Sequence, residues 1–213
     1  MQNIYKVIGL IVLLIFASGC STLSKIEKEK IHTVGVLNTF PEKPTWTVIG
    51  ITMFTNDLSY VPNQGYKELL TRTTLKYLAH KGYKVKEISS KNTKLDDDID
   101  LILEIDPGDI YSYIHTNGYG FVQRNAFGTL EQPFAYVSLY IIPILKKDYG
   151  MRQNYIFSFG SATISSKRLE PITLKVLPEK WSKLPDADQQ RFEKILKINI
   201  EKILQEQLPR LGL

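Results

Sequence analysis

Covalent chemistry in this chain has few places to start from. The 213 residues hold one cysteine, Cys20, and three histidines, His32, His80 and His115, each alone in sequence. A thiolate is the best soft nucleophile among side chains, so Cys20 can enter a covalent step on its own reactivity. A single cysteine makes neither an internal disulfide nor a multi-Cys metal site. Hydrolase and nucleotide signatures are missing: there is no G-x-S-x-G, no H-E-x-x-H, no C-x-x-C and no glycine-rich phosphate loop after a strand. Gly160-Ser161-Ala162 falls in a strand-like run and lacks the nucleophile-elbow pattern. Asp96-Asp97-Asp98-Ile99-Asp100, with Glu104, Asp106 and Asp109 behind it, could offer oxygens to a hard cation, but without the EF-hand spacing or its glycine. It reads as a solvated loop leading into a strand, with Asp100, Glu104 and Asp106 on the face opposite Leu101 and Leu103. The sequence therefore assigns no catalytic residue, no metal site and no cofactor.

One segment is rich in binding chemistry. Gly108–Gly128, GDIYSYIHTNGYGFVQRNAFG, holds three tyrosines, two phenylalanines, four glycines and one arginine. Rigid rings and arginine are enriched at interface cores. Tyr111, Tyr113, Tyr119, Phe121 and Arg124 are thus the candidate partner-binding residues. The competing reading sends the same rings into the core by strand alternation, with the glycines making turns.

Composition narrows the class. Hydrophobic residues at 43% and charged residues at 23% are ordinary globular values. The net charge is +5, and only Lys6 is charged among the first nineteen residues, which leaves 26 basic against 22 acidic side chains beyond them. That excess is too scattered for nucleic acid, which asks for a concentrated basic face.

Residues 1–20 read MQNIYKVIGLIVLLIFASGC. Lys6 gives a positive start, Val7–Ala17 an apolar run of eleven, and Ala17-Ser18-Gly19 a small-residue cleavage site, the layout of a secretory signal peptide. A bilayer-spanning helix needs about 20 apolar residues, so a permanent span is disfavoured. With Cys20 directly after the small triplet, the segment resembles the lipobox of bacterial lipoproteins, departing from it at Ala17, where the family favours Leu. The resemblance implies a diacylglyceryl group on the Cys20 sulfur, cleavage before Cys20 and acylation of the new amine. Two or more chains give stable anchoring, each buried CH₂ contributing about 0.8 kcal/mol. Ser21, where an Asp favours inner-membrane retention in this family, implies the outer membrane facing the periplasm. Ordinary signal-peptidase cleavage, leaving a free thiol, and an uncleaved anchor are the alternatives.

The elements follow from pattern. Residues 1–19 read as signal peptide, 20–30 as a lipidated tether, and 31–213 as a single α+β domain. Thr33–Phe40 and Thr45–Phe54 read as strands around Pro41–Pro44, a break of hairpin length. Asn63–Lys81 reads as a helix burying Tyr66, Leu69, Leu70, Thr73, Tyr77 and Leu78, with Gly82 as its stop and Leu75 on the solvent side. Tyr83–Ser89, Ile99–Ile105, Ala135–Leu145 and Asn154–Ser165 read as strands, and Asn117-Gly118 as a hairpin turn. Leu169–Pro185 reads as an extended, proline-marked arm crossing the surface. The last helix opens at Asp186 as N-cap with Gln189 completing a capping box, and buries Phe192, Ile195, Leu196, Asn199, Ile200 and Ile203. The sum is a mixed, antiparallel-rich sheet of six to eight strands with two main helices. Over residues 31–106 the order of elements loosely resembles modules of envelope proteins such as CsgG and the TolB amino-terminal domain.

The function these features imply is that of a lipid-anchored envelope protein without enzymatic activity. It would serve as an assembly, scaffold or accessory binding subunit, meeting the membrane through its anchor and an envelope protein or a second copy of itself through its body. Binding of a small apolar ligand or a glycan, and less so an envelope hydrolase, are the alternatives.

Overall fold

In the computed structural model, residues 25–50, 56–91, 94–111, 116–126, 128–152 and 163–213 are described. Cys20, Tyr113, His115, the end of the second strand run and most of Asn154–Ser165 lie outside them.

Nine strands and four α-helices are present among the described residues. They are α1 (Lys25–Glu29), β1 (Thr33–Asn38), β2 (Thr45–Ile49), β3 (Asp57–Tyr60), α2 (Tyr66–His80), β4 (Lys84–Ile88), β5 (Leu101–Pro107), β6 (Tyr119–Ala126), β7 (Thr129–Leu130), β8 (Phe134–Leu145), α3 (Lys146–Arg152), β9 (Ile164–Pro171) and α4 (Asp186–Gln207). The sheet runs β3-β2-β6-β8-β5-β1-β4, with β7 beside β6 and β9 beside β8. Only β1–β4, β1–β5 and β2–β6 are parallel. The architecture is therefore the α+β, mixed and antiparallel-rich sheet that the pattern implies, its extra strand being the two-residue β7.

The register shows a fork. β9 pairs along β8 from Phe134 to Ile141. On β8's other edge, β6 occupies Phe134–Val137 and β5 occupies Leu139–Leu145, end to end. Ser138 stands where they part: its carbonyl accepts the Gly108 amide at 2.9 Å and its amide donates to the Gly118 carbonyl at 2.6 Å. One branch continues β5-β1-β4, the other β6-β2-β3. The expected hairpin between the first two strands does not form, because β1 already has β4 and β5 on its edges and β2 has β3 and β6. Asn117-Gly118 is not a two-residue turn between strands either, since Asn117 itself bridges Asp109.

Helices α2 and α4 cover one face of both branches. Beneath them lies a single core holding Val34 and Val36 of β1, Trp46 of β2, Leu101, Leu103 and Ile105 of β5, Tyr119 and Phe121 of β6, and Val137, Leu139 and Ile141 of β8. α2 buries Tyr66, Leu69, Leu70, Thr71, Thr74 and Leu78, whereas Thr73 and Tyr77 of the expected stripe are only half-buried; Thr71 and Thr74 can go inside because their hydroxyls bond back to the Lys67 and Leu70 carbonyls. Leu75, expected in solvent, is half-buried against this core. Gly82 turns the chain out of α2 at φ +93°, which a side chain would resist, and Tyr83 returns its amide to the Leu78 carbonyl. α4 is capped by Pro185, not Asp186: the Asp188 and Gln189 amides both reach the Pro185 carbonyl, and the Gln189 side chain bonds the Leu184 carbonyl instead of closing a box. Within the stretch read as a tether, Lys25–Glu29 is a short helix, with Glu27 4.0 Å from Lys147.

The arm after β9 is pinned. Gln123 donates to the Glu131 and Lys175 carbonyls and accepts the Leu177 amide, while Trp46 donates its indole N–H to the Pro178 carbonyl at 2.7 Å. Ile172, Leu177, Trp181 and Leu184 of the arm are thereby buried in the main core, so the arm does not simply cross the surface as its prolines imply but supplies apolar side chains to the interior. Among the described residues no helix is long and apolar enough to cross a membrane.

Candidate interaction surface

β6 alternates, and that alternation divides the aromatic segment. Tyr119 and Phe121 point under the helices and are fully buried. Tyr119 stacks on Phe40 at 5.2 Å and donates its hydroxyl to the Pro41 carbonyl at 2.6 Å; burial pushes its pKa up. Phe121 packs within 5.7 Å of the Trp46, Trp181 and Phe192 rings. Neither ring can meet a partner, so the expectation that they form a recognition surface is corrected: both are core residues.

Gly120, Val122 and Arg124 take the other face. Gly120 brings β6 against β2 so closely that a Cβ there would stand 2.1 Å from the Thr45 carbonyl oxygen, and its φ of +156° is one side chains rarely adopt. Arg124 grips Glu131 in a fork, Nε to Oε2 at 3.1 Å and Nη2 to Oε1 at 2.6 Å, and this guanidinium holds the Glu131 carboxyl below its usual range. Tyr111, half-buried, crosses over this face with Arg124 Cζ 5.7 Å and Lys167 Nζ 5.9 Å from its ring centroid. The Thr116 hydroxyl ties down both ends of the Tyr111 backbone. Of the five candidates, then, the structure keeps Tyr111 and Arg124 together on an accessible face, sends Tyr119 and Phe121 inside, and leaves Tyr113 outside the described residues.

Register makes that face continuous across five strands. Tyr60, Thr45, Gly120, Tyr136 and Leu169 are successive cross-strand neighbours in one row. Leu58, Thr47, Val122, Phe134 and Pro171 form the next. The middle is closed by a small cluster in which Ile49, Val122 and Tyr136 pack under Ile110 and Tyr111, and the Tyr136 hydroxyl bonds Thr45 Oγ1. The ends are open. Tyr60 is 58% exposed, Leu169 44% and Leu58 38%. An exposed apolar row rimmed by polar groups marks a contact surface more often than a lone exposed leucine does. Sequence reasoning missed Tyr60, Leu58 and Leu169, because their alignment arises only when five separate strands are put in register.

The acidic run does different work from cation binding. Lys86 reaches Asp96 at 2.7 Å and Asp98 at 2.6 Å, Lys84 reaches Asp98 at 3.2 Å, and Lys146 donates to the Asp96 and Asp97 carbonyls at 2.8 Å. Asp100 accepts the His32 and Thr33 amides at 2.8 and 2.9 Å. This lays Lys94–Ile99 over a second small core of Leu37, Ile88, Ile102, Ile142 and Ile144. β5 is therefore buried on both faces, and Glu104 is buried with Lys91 as its ion-pair partner rather than solvated. Burial pulls the Lys91 pKa down, but Glu104 and Asp106 outweigh it and hold the amine above its usual range. Among the described residues no three His, Cys, Asp or Glu side chains converge as a metal site would need.

No family model matches the chain, and no curated protein matches it. Among solved structures, protein XCC0632 from Xanthomonas campestris, of family DUF330, is similar at 12% identity and a TM-score of 0.38, over 86% of this chain and 89% of that one. A likeness of that degree carries no argument about what this chain does.

Proposed function

We propose that this chain is a lipid-anchored protein of a bacterial envelope, facing the periplasm from the outer membrane, that acts by binding another envelope protein and not by catalysis. The observation that carries the reading is the lone Cys20, set directly after an apolar run and a small-residue triplet. The linker adds support: α1 begins at Lys25, so the body starts within a few residues of that thiol. The binding role draws on the exposed ends of the two rows, Tyr60 and Leu169 of the first and Leu58 of the second, and on the cations beside Tyr111. Intact mass tests the anchor. The expected mass is that of the chain from Cys20 with acyl groups added, and Cys20→Ser is expected to move the protein from the membrane to the soluble fraction. A bare mass from Cys20 or from Met1 would sink the reading. Crosslinking from native envelope tests the surface: Tyr60→Ser with Leu169→Ser is expected to lower capture of a defined partner while leaving the unfolding midpoint in place.

A further inference from the structure

We infer that the α1 end of the body rests on the bilayer and that the groove there takes zwitterionic phospholipid headgroups, so that β8 holds the candidate interaction surface away from the membrane. This rests on the anchored reading above. It starts from reach. Four residues, Ser21–Ser24, stand between Cys20 and Lys25. Extended, the step from Cys20 to Lys25 covers no more than about 18 Å. A domain of this size is roughly 40 Å across. The anchor therefore selects one end, and the far end cannot be the one that meets lipid.

Several elements converge at that end. The Ile31 amide bonds the Lys28 carbonyl as α1 leads into β1, and the Lys84 amide bonds the His32 carbonyl. Lys28 Nζ lies 2.7 Å from where a side chain on Gly212 would begin, which brings the carboxyl terminus alongside. An open groove of about 690 Å³ runs between α1 and the start of α3. Its floor is Ile31, Ile99 and Leu145. Lys30, Lys146 and Lys147 stand on its walls with Glu27, Asp97 and Asp100, three cations and three anions. A polybasic wall would select anionic lipid through the surface potential. Interleaved signs instead suit a headgroup that carries phosphate and ammonium side by side. Ile31 and Ile99 are nearly fully buried beneath the charged walls, so the contact is made at headgroup depth and not by inserting a side chain among the acyl tails.

The length of β8 then fixes what faces outward. Leu145 at its end lines the groove, while Tyr136 lies in the first apolar row. Nine steps of strand separate them, roughly 30 Å at the rise of an extended chain. The row that ends in Tyr60 and Leu169 is thus presented beyond the headgroup layer, where a periplasmic partner can reach it.

The test uses the full, processed chain in vesicles of phosphatidylethanolamine and phosphatidylcholine. A thiol-reactive dye is placed at Glu29→Cys on α1 or at Leu169→Cys on the outer row, both exposed positions. A nitroxide carried on the lipid headgroup quenches it. Quenching is expected to be severalfold stronger at position 29 than at 169. Lys30→Glu with Lys147→Glu is expected to weaken it at 29, and added phosphatidylglycerol is expected to leave it unchanged. Equal quenching at the two positions overturns the orientation, and a rise that depends on phosphatidylglycerol and collapses in salt overturns the headgroup assignment. The parent chain, carrying only Cys20, must take up no dye. If it labels, the anchored reading fails and this inference with it; one dye per variant with equal quenching sinks the inference alone.

Discussion

Phe121 and Arg124 are three residues apart, and the one-residue parity difference between them decides which is structural and which is available. Phe121 touches Trp46, Trp181 and Phe192. Phe121→Ala should cost about 3–5 kcal/mol, by lost transfer energy and the cavity left behind. Tyr111→Ala, on the open face, should cost well under half of that, with cation–π pairs at exposed sites contributing about 0.5–1 kcal/mol. Urea unfolding of the two variants checks the contrast, and a Phe121 variant as stable as the parent would contradict the assignment to the core. A second prediction concerns Asp98. Hydrogen bonds from Lys86 and then Lys84 hold its carboxyl at about 2, against an ordinary 3.8. The folded pKa is the lower one, so this group's contribution is complete above the unfolded value. It is lost as pH falls from about 4 to about 2, where the unfolded chain takes up a proton that the folded chain refuses. Carbon-detected titration of Asp98 should give a midpoint near 2 in the parent and near the ordinary value in Lys84→Gln with Lys86→Gln; an unmoved midpoint would show that the lysines are not its cause.

At the scale of elements, the proline-marked arm is the instructive case. Its backbone has no ladder to join, so its buried polar groups must be met by side chains. Gln123 meets two of them, the Leu177 amide and the Lys175 carbonyl, and ties them to the Glu131 carbonyl after β7. Gln123→Leu keeps the volume and removes every one of these bonds. The stranded Leu177 amide alone should cost about 1–3 kcal/mol. Amide exchange should show the loss locally, with Leu177 and Trp181 accelerated and the β1–β5 amides unchanged; uniform acceleration would mean that the arm and sheet open together. Much of this layer was legible beforehand. The apolar spacing of α2 and α4, the strand that follows α2 and the proline-marked arm follow from period and from proline placement, whereas β3, four residues long and mostly exposed, goes unread in the sequence. Pairing was not. Thr33–Asn38 and Thr45–Ile49 look like hairpin partners because a short break joins them, yet each is claimed on both edges by strands distant in sequence. Glu104 misled for a related reason: alternation placed it opposite the leucines correctly, but whether that face meets water depends on Lys94–Ile99 folding back over it.

For the whole molecule the fork raises the question of whether the two branches are separate folding units. β8 answers it physically. Phe134–Val137 are bonded to β6 and Leu139–Leu145 to β5, while β9 spans the junction from Phe134 to Ile141. The core under α2 and α4 likewise has no seam: Trp46 and Phe121 of one branch share it with Val36 and Leu103 of the other. Losing either branch would strip an edge of β8 and expose apolar surface that the other branch cannot cover. The molecule should therefore unfold as one unit, as small domains generally do. Trp46 and Trp181 report on the β2–β6 side, 5.3 Å apart and edge to face, whereas helical circular dichroism reports on α2 and α4. The two signals should trace a single urea transition. Leu103→Ala, in the branch without a tryptophan, should move both midpoints together by an amount equivalent to about 2–5 kcal/mol. If the tryptophan signal kept its midpoint while the helical signal shifted, the branches would be independent, and β8 would be a hinge between two bodies instead of the beam that joins them.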